Sequence, residues 1–525
     1  MNRRRPNILL LMADQHRADA IGAARVAGGE SEPALKTPSL DRLCREGVRY
    51  ARAYTESPVC VSARATLLTG LLPHQTGVFD NGYKVAPEAV TLPRLLRARG
   101  YHCQAIGKMH FSPVREHHGH HRMWLSEEIP RMPDEDEFLR ELIEAGWGHV
   151  EEPHGVRHEM YYVPQVSQLP EERHTTAWTG RRTVEYLEEH VRERRGEPFF
   201  CWSSFIKPHP PFDPPVPWHT LYKPTDRPLG MPVRSEKERD RHSYYHRTQN
   251  RFKWTDAQPD ANLLMTMRAY YAAAVSFIDS WVGHILDALE RLGLRENTLV
   301  LYMADHGEYL GDHYAFGKRG YHDPAARVPF IVSWPGMMPA GEVSHTLVGL
   351  ADVLPTCVAA ADGGEQGALP RGREVWVGQL AEKAKGLYAA MDAEWKYVYS
   401  APDQREYLIH RGAGEGAACD QNECADHASA TESRGMLERL RAALQGRLRS
   451  DGYFEPLDEG QVDGWRRYER PALAWEPLDE MEDRSTVARG WQYARWNRSG
   501  DQVAYDRRRT PGKSTYGFDL REGQV

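Results

Sequence analysis

Short apolar runs recur along the chain, and several of them end directly at a polar cluster. The run from Asn7 to Ala13 leads straight into Asp14-Gln15-His16. Comparable runs cover residues 101–106, 198–206, 297–303 and 328–333. An unbroken apolar run of this length is typical of a strand that is covered on both faces, as in a parallel sheet. These runs therefore predict the strands of a buried sheet.

Amphipathic segments between the runs predict helices. They lie at residues 37–43, 62–72, 92–99, 183–194 and 265–292. Strands that alternate with helices predict an α/β fold, with a large, mostly parallel sheet flanked by helices. In such sheets ligands bind at the carboxyl ends of the strands, so the polar residues there are candidate site residues.

The pattern divides the chain into three parts. Residues 1–380 carry the α/β pattern, with irregular inserts at about 115–172 and 210–260 that we expect to form pocket walls. The first insert contains Arg115–His121, a His-rich stretch that we interpret as a solvated loop. Residues 381–450 combine hairpin-type strands with a helix and predict a small α+β subdomain. Residues 451–525 form a charged tail with four spaced Trp, which we expect to pack on its own chain or to make homo-oligomer contacts.

Composition narrows the class of function. The chain has 67 Lys and Arg against 74 Asp and Glu, a net charge of -7 that argues against a nucleic-acid binder. The 24 His favour metal binding or acid–base chemistry. The seven Cys are scattered and form no C-x-x-C pair, which predicts a reduced, cytoplasmic compartment. No apolar stretch reaches the roughly 18 residues that span a membrane, so no membrane partner is expected.

Two constellations carry candidate chemistry. Asp14 and the pair Asp305-His306 each follow a predicted strand, and carboxylate and imidazole groups suit a divalent cation. Such acids can equally cap the helices that follow the strands. Cys60 lies at a predicted helix N-terminus with Arg64 one turn later, a positive field that favours a bound anion. Taken alone, Cys60 is also compatible with an ordinary buried cysteine.

These motifs, together with others in the same order, resemble the type I sulfatases of the alkaline phosphatase superfamily. The resemblance covers roughly residues 6–430. Its matching strings are Asn7–Asp14, Cys60–Arg64, Gly107–His110, Phe205–His209, Asp305–Glu308, Gly317-Lys318, Arg327–Phe330, Asp352–Thr356 and a degenerate Asp420–Glu423.

The resemblance implies a role for each matching residue. Cys60 would be converted to 3-oxoalanine (formylglycine) by a formylglycine-generating enzyme, and its hydrate would be the nucleophile. One divalent ion, calcium or manganese, would be held by Asp14, Gln15, Cys60, Asp305 and His306. Arg64 would stabilise the nucleophile, Lys108 and Lys318 would bind the anionic oxygens, His110 would accept a proton, and His209 would protonate the leaving group. Asn81 is a candidate substrate contact, although Asn-Gly is first a turn signal.

The family pattern is not matched everywhere. Ser62 stands where the usual motif has Pro, which bears on recognition by the modifying enzyme. Gln15 and His306 resemble phosphonate monoester hydrolases and choline sulfatases, whereas Lys108 and His110 follow the sulfatase pattern. We therefore expect a sulfuric ester hydrolase that acts on sulfate monoesters. The alternatives are a phosphonate monoester or phosphodiester hydrolase with sulfatase activity alongside, and a silent anion-binding homologue.

Overall fold

The computed structural model describes residues 5–26, 35–130, 132–157, 161–234, 244–245, 259–363, 370, 372–412 and 423–471. Its strands are β1 (Asn7–Asp14), β2 (Val48–Tyr50), β3 (Ala53–Tyr54), β4 (His102–Gly107), β5 (Arg122–Leu125), β6 (Phe199–Pro208), β7 (Thr298–Met303), β8 (Phe330–Ser333), β9 (Glu342–Ser344), β10 (Val348–Gly349), β11 (Trp376–Leu380), β12 (Leu387–Met391), β13 (Trp395–Ser400) and β14 (Arg405–His410). Its helices are α1 (Gly22–Val26), α2 (Pro38–Arg45), α3 (Cys60–Thr69), α4 (Pro73–Thr76), α5 (Leu92–Arg97), α6 (Glu137–Glu144), α7 (Thr175–Glu193), α8 (Ala261–Arg291), α9 (Asp323–Ala326), α10 (Val353–Ala361) and α11 (Arg434–Ser450).

The central sheet has eight strands in the order β5-β4-β6-β1-β7-β8-β2-β9. Its neighbours pair in parallel except at β8, which is antiparallel to both β7 and β2. The predicted α/β fold with a large, mostly parallel sheet is thereby confirmed.

Strand β1 lies in the middle of this sheet and is buried along its whole length. Its side chains alternate between two apolar cores. Leu10 and Met12 face a core that includes residues of α3, α5 and α10. Leu9 and Leu11 face a second core that includes residues of α2, α7 and α8. Helices on both faces explain why the sequence of β1 is continuously apolar rather than alternating.

Helix α8 is the longest helix among the described residues. By length and composition alone it is apolar enough to cross a membrane, but 72% of its most apolar window is buried within the protein. Its apolar side includes Ile278, Val282 and Ile285, which belong to the core that contains Leu9 and Leu11 of β1. Its residues thus pack as those of a core helix.

The insert at 115–172 differs from the predicted irregular loop. It contributes β5, an edge strand that pairs in parallel with β4, and helix α6, whose N-cap Asp136 accepts a hydrogen bond from Leu139 N. A four-residue strand with one partner leaves too short a pattern to be recognised in sequence. The prediction of a solvated His loop was wrong for His118 and His120, which are buried, whereas His117 and His121 are exposed.

The small C-terminal subdomain is a four-stranded antiparallel sheet, β11-β12-β13-β14, with α11 packed on it. It begins at Trp376, before the predicted boundary at residue 380. Trp465, from the segment predicted to be a tail, is fully buried in this subdomain and stacks on Tyr399 with ring centroids 4.4 Å apart. Trp475, Trp491 and Trp496 lie outside the described residues.

A buried lysine joins this subdomain to the α/β part. Lys396 of β13 is fully buried, and its Nζ donates to Tyr321 O at 2.6 Å and to Asp323 Oδ1 at 2.8 Å. Glu423 accepts a further bond from the same ammonium. Because each buried charge has a partner of opposite sign, the contact holds the start of α9 against the small sheet.

The buried His120 gives the fold a sensitivity to acid. Its ring packs near Phe200 and Trp202, and its Nδ1 lies 2.9 Å from His117 O. Burial lowers the pKa of His120 from 6.5 to about 3. The unfolded chain therefore binds a proton below pH 6.5 that the folded chain excludes, so this contribution to stability is present above pH 6.5 and is lost as the pH falls towards 3.

We predict that His120→Gln flattens the pH dependence of stability. At about pH 5.5 the His120 contribution to the free energy of unfolding should have fallen by about 1.4 kcal/mol. Urea unfolding at about pH 7.5 and about pH 5.5 measures the loss in the wild type and in the variant. His284→Gln, at an exposed position of α8, is the control and should keep the wild-type slope. Equal slopes in wild type and His120→Gln would contradict the assignment.

Candidate active site

The site lies where the central strands of the sheet end. Asp14 is the last residue of β1, and Asp305 and His306 follow its parallel neighbour β7. The register pairs Met12 with Met303, so the two strands finish at the same edge. Gln15 N donates to Asp305 Oδ1 at 3.0 Å, which ties the two strand ends together. The topology thus brings together residues that are far apart in the sequence.

Four buried side chains converge at this edge. One potential ligand atom from each of Asp14, Cys60, Asp305 and His306 lies within 4.8 Å of the other three. The Nδ1 of His306 is 3.0 Å from Gly307 O, and with Nδ1–H donating there, Nε2 faces the cluster as a lone-pair donor. Two carboxylates and one imidazole suit a hard or borderline divalent cation, so the donor set fits the implied metal ion.

Gln15 contributes its side chain to the same edge. Its Nε2 donates to Glu308, and its Oε1 accepts a hydrogen bond from Lys318 Nζ at 2.9 Å. Glu308 is fully buried and also accepts from Tyr162 OH at 2.9 Å. The Glu308 contact fixes which way the amide of Gln15 points, so that its oxygen faces the site.

Arg64 separates the two carboxylates. Its Nη2 donates to Asp14 Oδ2 at 3.2 Å and its Nε to Asp305 Oδ2 at 3.0 Å. Burial disfavours the charge of Arg64, but Asp305 and Asp14 outweigh burial and raise its pKa. The described hydrogen bonds of Arg64 go to these carboxylates and to Lys108 O and Ser204 Oγ rather than to Cys60. Its position therefore supports a role in holding the carboxylates. The expected role of Arg64 in stabilising the nucleophile stays a prediction.

Cys60 is the first residue of α3 and is 1% exposed. Its Sγ lies 3.0 Å from Lys318 Nζ and 3.2 Å from His306 Nε2. Burial alone would raise the pKa of the thiol, but the charges of Lys318, Lys108 and His306, with a hydrogen bond from His110, hold this pKa well below its ordinary value. The position of Sγ therefore stabilises negative charge.

Lys108 follows β4 and is fully buried. Its Nζ lies 2.6 Å from Asp14 Oδ2 and 2.7 Å from Glu128 Oε2. Burial opposes the charge, but these two carboxylates raise the pKa of Lys108 well above its ordinary value. Gly107, with φ 85°, makes the turn possible, because a Cβ there would lie 2.1 Å from Ser204 O.

The two predicted acid–base histidines approach from different strands. His110 has a left-handed backbone, φ 58°, and its N–H donates to Glu127 Oε1 at 3.0 Å. His209 follows β6, and its Nδ1 is 2.8 Å from Pro210 O and 3.6 Å from Glu128 Oε1. Burial lowers the pKa of His209, against the charge of Glu128, which raises it.

Glu127 and Glu128 are site residues that the sequence interpretation missed. Glu128 binds Lys108 and Arg157, whose Nη2 lies at 2.6 Å, and the charges of His209, Lys108 and Arg157 outweigh burial and hold its pKa well below the ordinary value. Both acids lie just after the short strand β5, from which only Ser126 separates them. The signal that marked Asp14, an acid at the end of an apolar run, was present here in a shorter form.

Asn81 and Ser62 have defined backbone contacts. The exposed Asn81 accepts a hydrogen bond from Val61 N, in the first turn of α3, at 3.2 Å. The buried hydroxyl of Ser62 donates to Val78 O at 2.6 Å. Ser62, in place of the usual Pro, thus anchors α3 to the loop that leads towards Asn81.

Comparisons with known sequences identify relatives of this chain. Residues 6–363 match the sequence model of the family named Sulfatase. The arylsulfatase of Clostridium perfringens is 30% identical over 387 residues, which are 67% of this chain and 74% of that protein. The multifunctional alkaline phosphatase superfamily protein PehA of Trinickia caryophylli is 30% identical over 392 residues, 67% of this chain and 73% of that protein.

A solved structure shares the fold. The phosphonate monoester hydrolase of Agrobacterium radiobacter superposes with a TM-score of 0.71 at 22% identity and covers 89% of this chain and 100% of that one. The family model covers more than half of the chain, and Asp14, Cys60 and Asp305 lie within the matched region. The chain therefore belongs to the sulfatase family of the alkaline phosphatase superfamily.

Proposed function

We propose that this protein hydrolyses sulfate monoesters to an alcohol or phenol and sulfate. The observation that carries the proposal is the placement of Cys60, whose Sγ lies between the Lys318 ammonium and the cluster of Asp14, Asp305 and His306. In the mature enzyme the hydroxyl oxygens of hydrated formylglycine would stand where Sγ stands. A bound calcium or manganese ion would lower the pKa of such a hydroxyl and offset the charge of the sulfate oxygens.

The side chains around Cys60 suit the transfer of a sulfuryl group. Lys108 and Lys318 are fixed cations that can bind the equatorial oxygens, where charge spreads in the transition state. Their ammonium groups are held by Asp14, Glu128 and Gln15, so little reorganisation is needed when the substrate binds. His209 reaches the site from β6, where it can protonate the leaving oxygen, and His110 contacts Cys60, where it can accept a proton.

A phosphonate monoester or phosphodiester is the second candidate substrate class. It is favoured by Gln15 and His306, the residues that resemble phosphonate monoester hydrolases, and by the fold shared with such an enzyme. Lys108 and His110 favour the sulfate ester, and both act on Cys60, Lys108 through its charge and His110 through a hydrogen bond. We therefore keep sulfate hydrolysis as the main proposal.

The proposal is tested by comparing kcat/KM on an aryl sulfate, a phosphonate monoester and a phosphodiester. We expect the highest value on the aryl sulfate, and we expect Cys60→Ala to reduce it to the background rate. The mass of the Cys60 peptide, measured on the same preparation, should show an aldehyde or its hydrate in place of the thiol. Fastest turnover of the phosphonate ester would favour the second class. Full activity in a preparation with unmodified Cys60 would exclude the proposed nucleophile.

We predict that Asp305→Ala removes the bound divalent ion and most of the activity. The variant deletes one charged ligand and also leaves Arg64 with a single carboxylate partner in the site, Asp14. The loss of metal affinity should exceed the roughly 10–100-fold cost of losing an outer-shell partner. Metal analysis of the purified proteins measures the effect and distinguishes calcium from manganese. Asp287→Ala, at a side chain 70% exposed, should retain full metal content. A fully loaded Asp305→Ala protein would show that the ligand assignment is wrong.

We further propose a cytoplasmic homo-oligomer that is matured by a formylglycine-generating enzyme. The cysteines Cys44, Cys60, Cys103, Cys201, Cys357 and Cys424 have free thiols, as suits a reducing compartment. The sequence beyond residue 471 carries Trp475, Trp491 and Trp496, a residue type enriched at interfaces.

Truncation after residue 471 tests the role of this sequence in assembly. The cut leaves the buried Trp465 in place, so the subdomain core stays intact. Light scattering should show a smaller assembly than that of the full chain. An unchanged number of subunits would show that the deleted segment does not hold them together.

A further inference from the structure

A bidentate ion pair joins two loops beside Cys60. Arg319 Nη1 donates to Asp80 Oδ2 at 2.6 Å, and Nη2 donates to Asp80 Oδ1. The two side chains are 20% and 31% exposed, so the pair lies at the rim of the site rather than in bulk solvent. Such a fork-to-carboxylate contact fixes orientation as well as distance.

Each partner of this pair is next to a residue of the site. Arg319 follows Lys318, whose Nζ is 3.0 Å from Cys60 Sγ. Asp80 precedes Asn81, and Asp80 Oδ1 accepts a hydrogen bond from Asn81 N at 2.7 Å. Asn81 in turn accepts from Val61 N in the first turn of α3. The contacts therefore run from Lys318 through Arg319, Asp80 and Asn81 back to the helix that begins with Cys60.

The backbone at Arg319 is held in an unfavourable conformation. Its φ is 79°, in the left-handed region, which is strained for a residue other than glycine. Two contacts hold it there: the Asp80 pair, and a hydrogen bond of 3.1 Å from Arg319 N to Pro58 O. Pro58 lies two residues before Cys60, so this hydrogen bond joins the turn at Arg319 to the loop that precedes Cys60.

We propose that the Asp80–Arg319 pair is a positioning device that sets where Lys318 lies relative to Cys60 and the N-terminus of α3. The inference rests on the proposed function in so far as Lys318 binds an oxygen of the substrate. The charges of Asp80 and Arg319 cancel, so the pair does not attract the anionic substrate. Its effect is on the position of Lys318. A misplacement of about 1 Å can cost on the order of 100-fold in rate.

Stability and activity should respond differently to loss of the pair. An ion pair that is partly exposed adds little to stability. Removing it should therefore change the melting temperature by no more than about 2–4 °C. A residue with a merely structural role would lower the melting temperature and leave the rate of the folded enzyme unchanged.

The experiment compares Arg319→Gly, Asp80→Asn and the double variant with the wild type. Glycine adopts the left-handed backbone without strain, so Arg319→Gly removes the fork while the turn is kept. We expect each single variant to lower kcat/KM by about tenfold to a hundredfold. The double variant should be no slower than the slower single variant, because both remove the same contact. Arg319→Lys should also lose activity, since an ammonium cannot form the fork. Arg434→Lys, at the exposed pair with Glu438, is the matched control and should keep the wild-type rate.

Two measurements keep this test separate from that of the function. Rates are taken on whichever of the aryl sulfate, phosphonate monoester and phosphodiester the wild type hydrolyses fastest, so a preference for phosphonate would reject the proposed function alone. The affinity for inorganic sulfate, measured by calorimetry on the intact protein, needs no turnover and should fall several-fold in Arg319→Gly. Unchanged rates together with unchanged sulfate affinity would overturn the proposal. Losses that multiply in the double variant would also overturn it, because they would show that Arg319 and Asp80 act separately.

Discussion

The whole site depends on keeping two carboxylates buried beside each other. Asp14 and Asp305 end neighbouring parallel strands and are fully shielded from water. Two buried carboxylates that lie side by side repel each other strongly, because the dielectric constant of the protein interior is low. Arg64 forms an ion pair with both, and Lys108 adds a second cation on Asp14. Because Arg64 lies one turn into α3, this neutralisation places the N-terminus of that helix, and with it Cys60, at the same sheet edge.

Elements farther from Cys60 hold the residues that surround the site in place. The strand β5 at one edge of the sheet leads into Glu127 and Glu128, which hold the backbone of His110 and the ammonium of Lys108. On the other side, Lys396 of the small sheet fixes the backbone at Tyr321, three residues after Lys318. Parts of the chain that lie far from Cys60 in sequence therefore determine how its cationic neighbours point.

Residues of the central strands could be predicted from the sequence because their burial is complete. A strand such as β1, with a core on each face, must be apolar throughout, and the first polar residue then marks the strand end. That reasoning found Asp14 and Asp305. The position of Cys60 followed from its helix start and from the family resemblance. By contrast, β5 and the burial of His118 and His120 depend on tertiary contacts that leave no local period. Helix α6 was missed although its N-cap Asp136 and its buried Phe138, Leu139 and Leu142 follow a helical pattern. Glu128 was missed because the strand before it, β5, is only four residues long. The Asp80–Arg319 pair was missed because a contact between distant loops has no signature in either loop.

The burial of α3 also bears on when Cys60 is accessible to another enzyme. Cys60, Ser62 and Arg64 are each at most 1% exposed, and the hydroxyl of Ser62 is bonded to the backbone of a neighbouring loop. An enzyme that binds this segment in extended form could not reach it once the helix has packed against the sheet. The proposed conversion of Cys60 would therefore have to precede folding. The rate at which α3 packs against the sheet would then set the time available for that conversion.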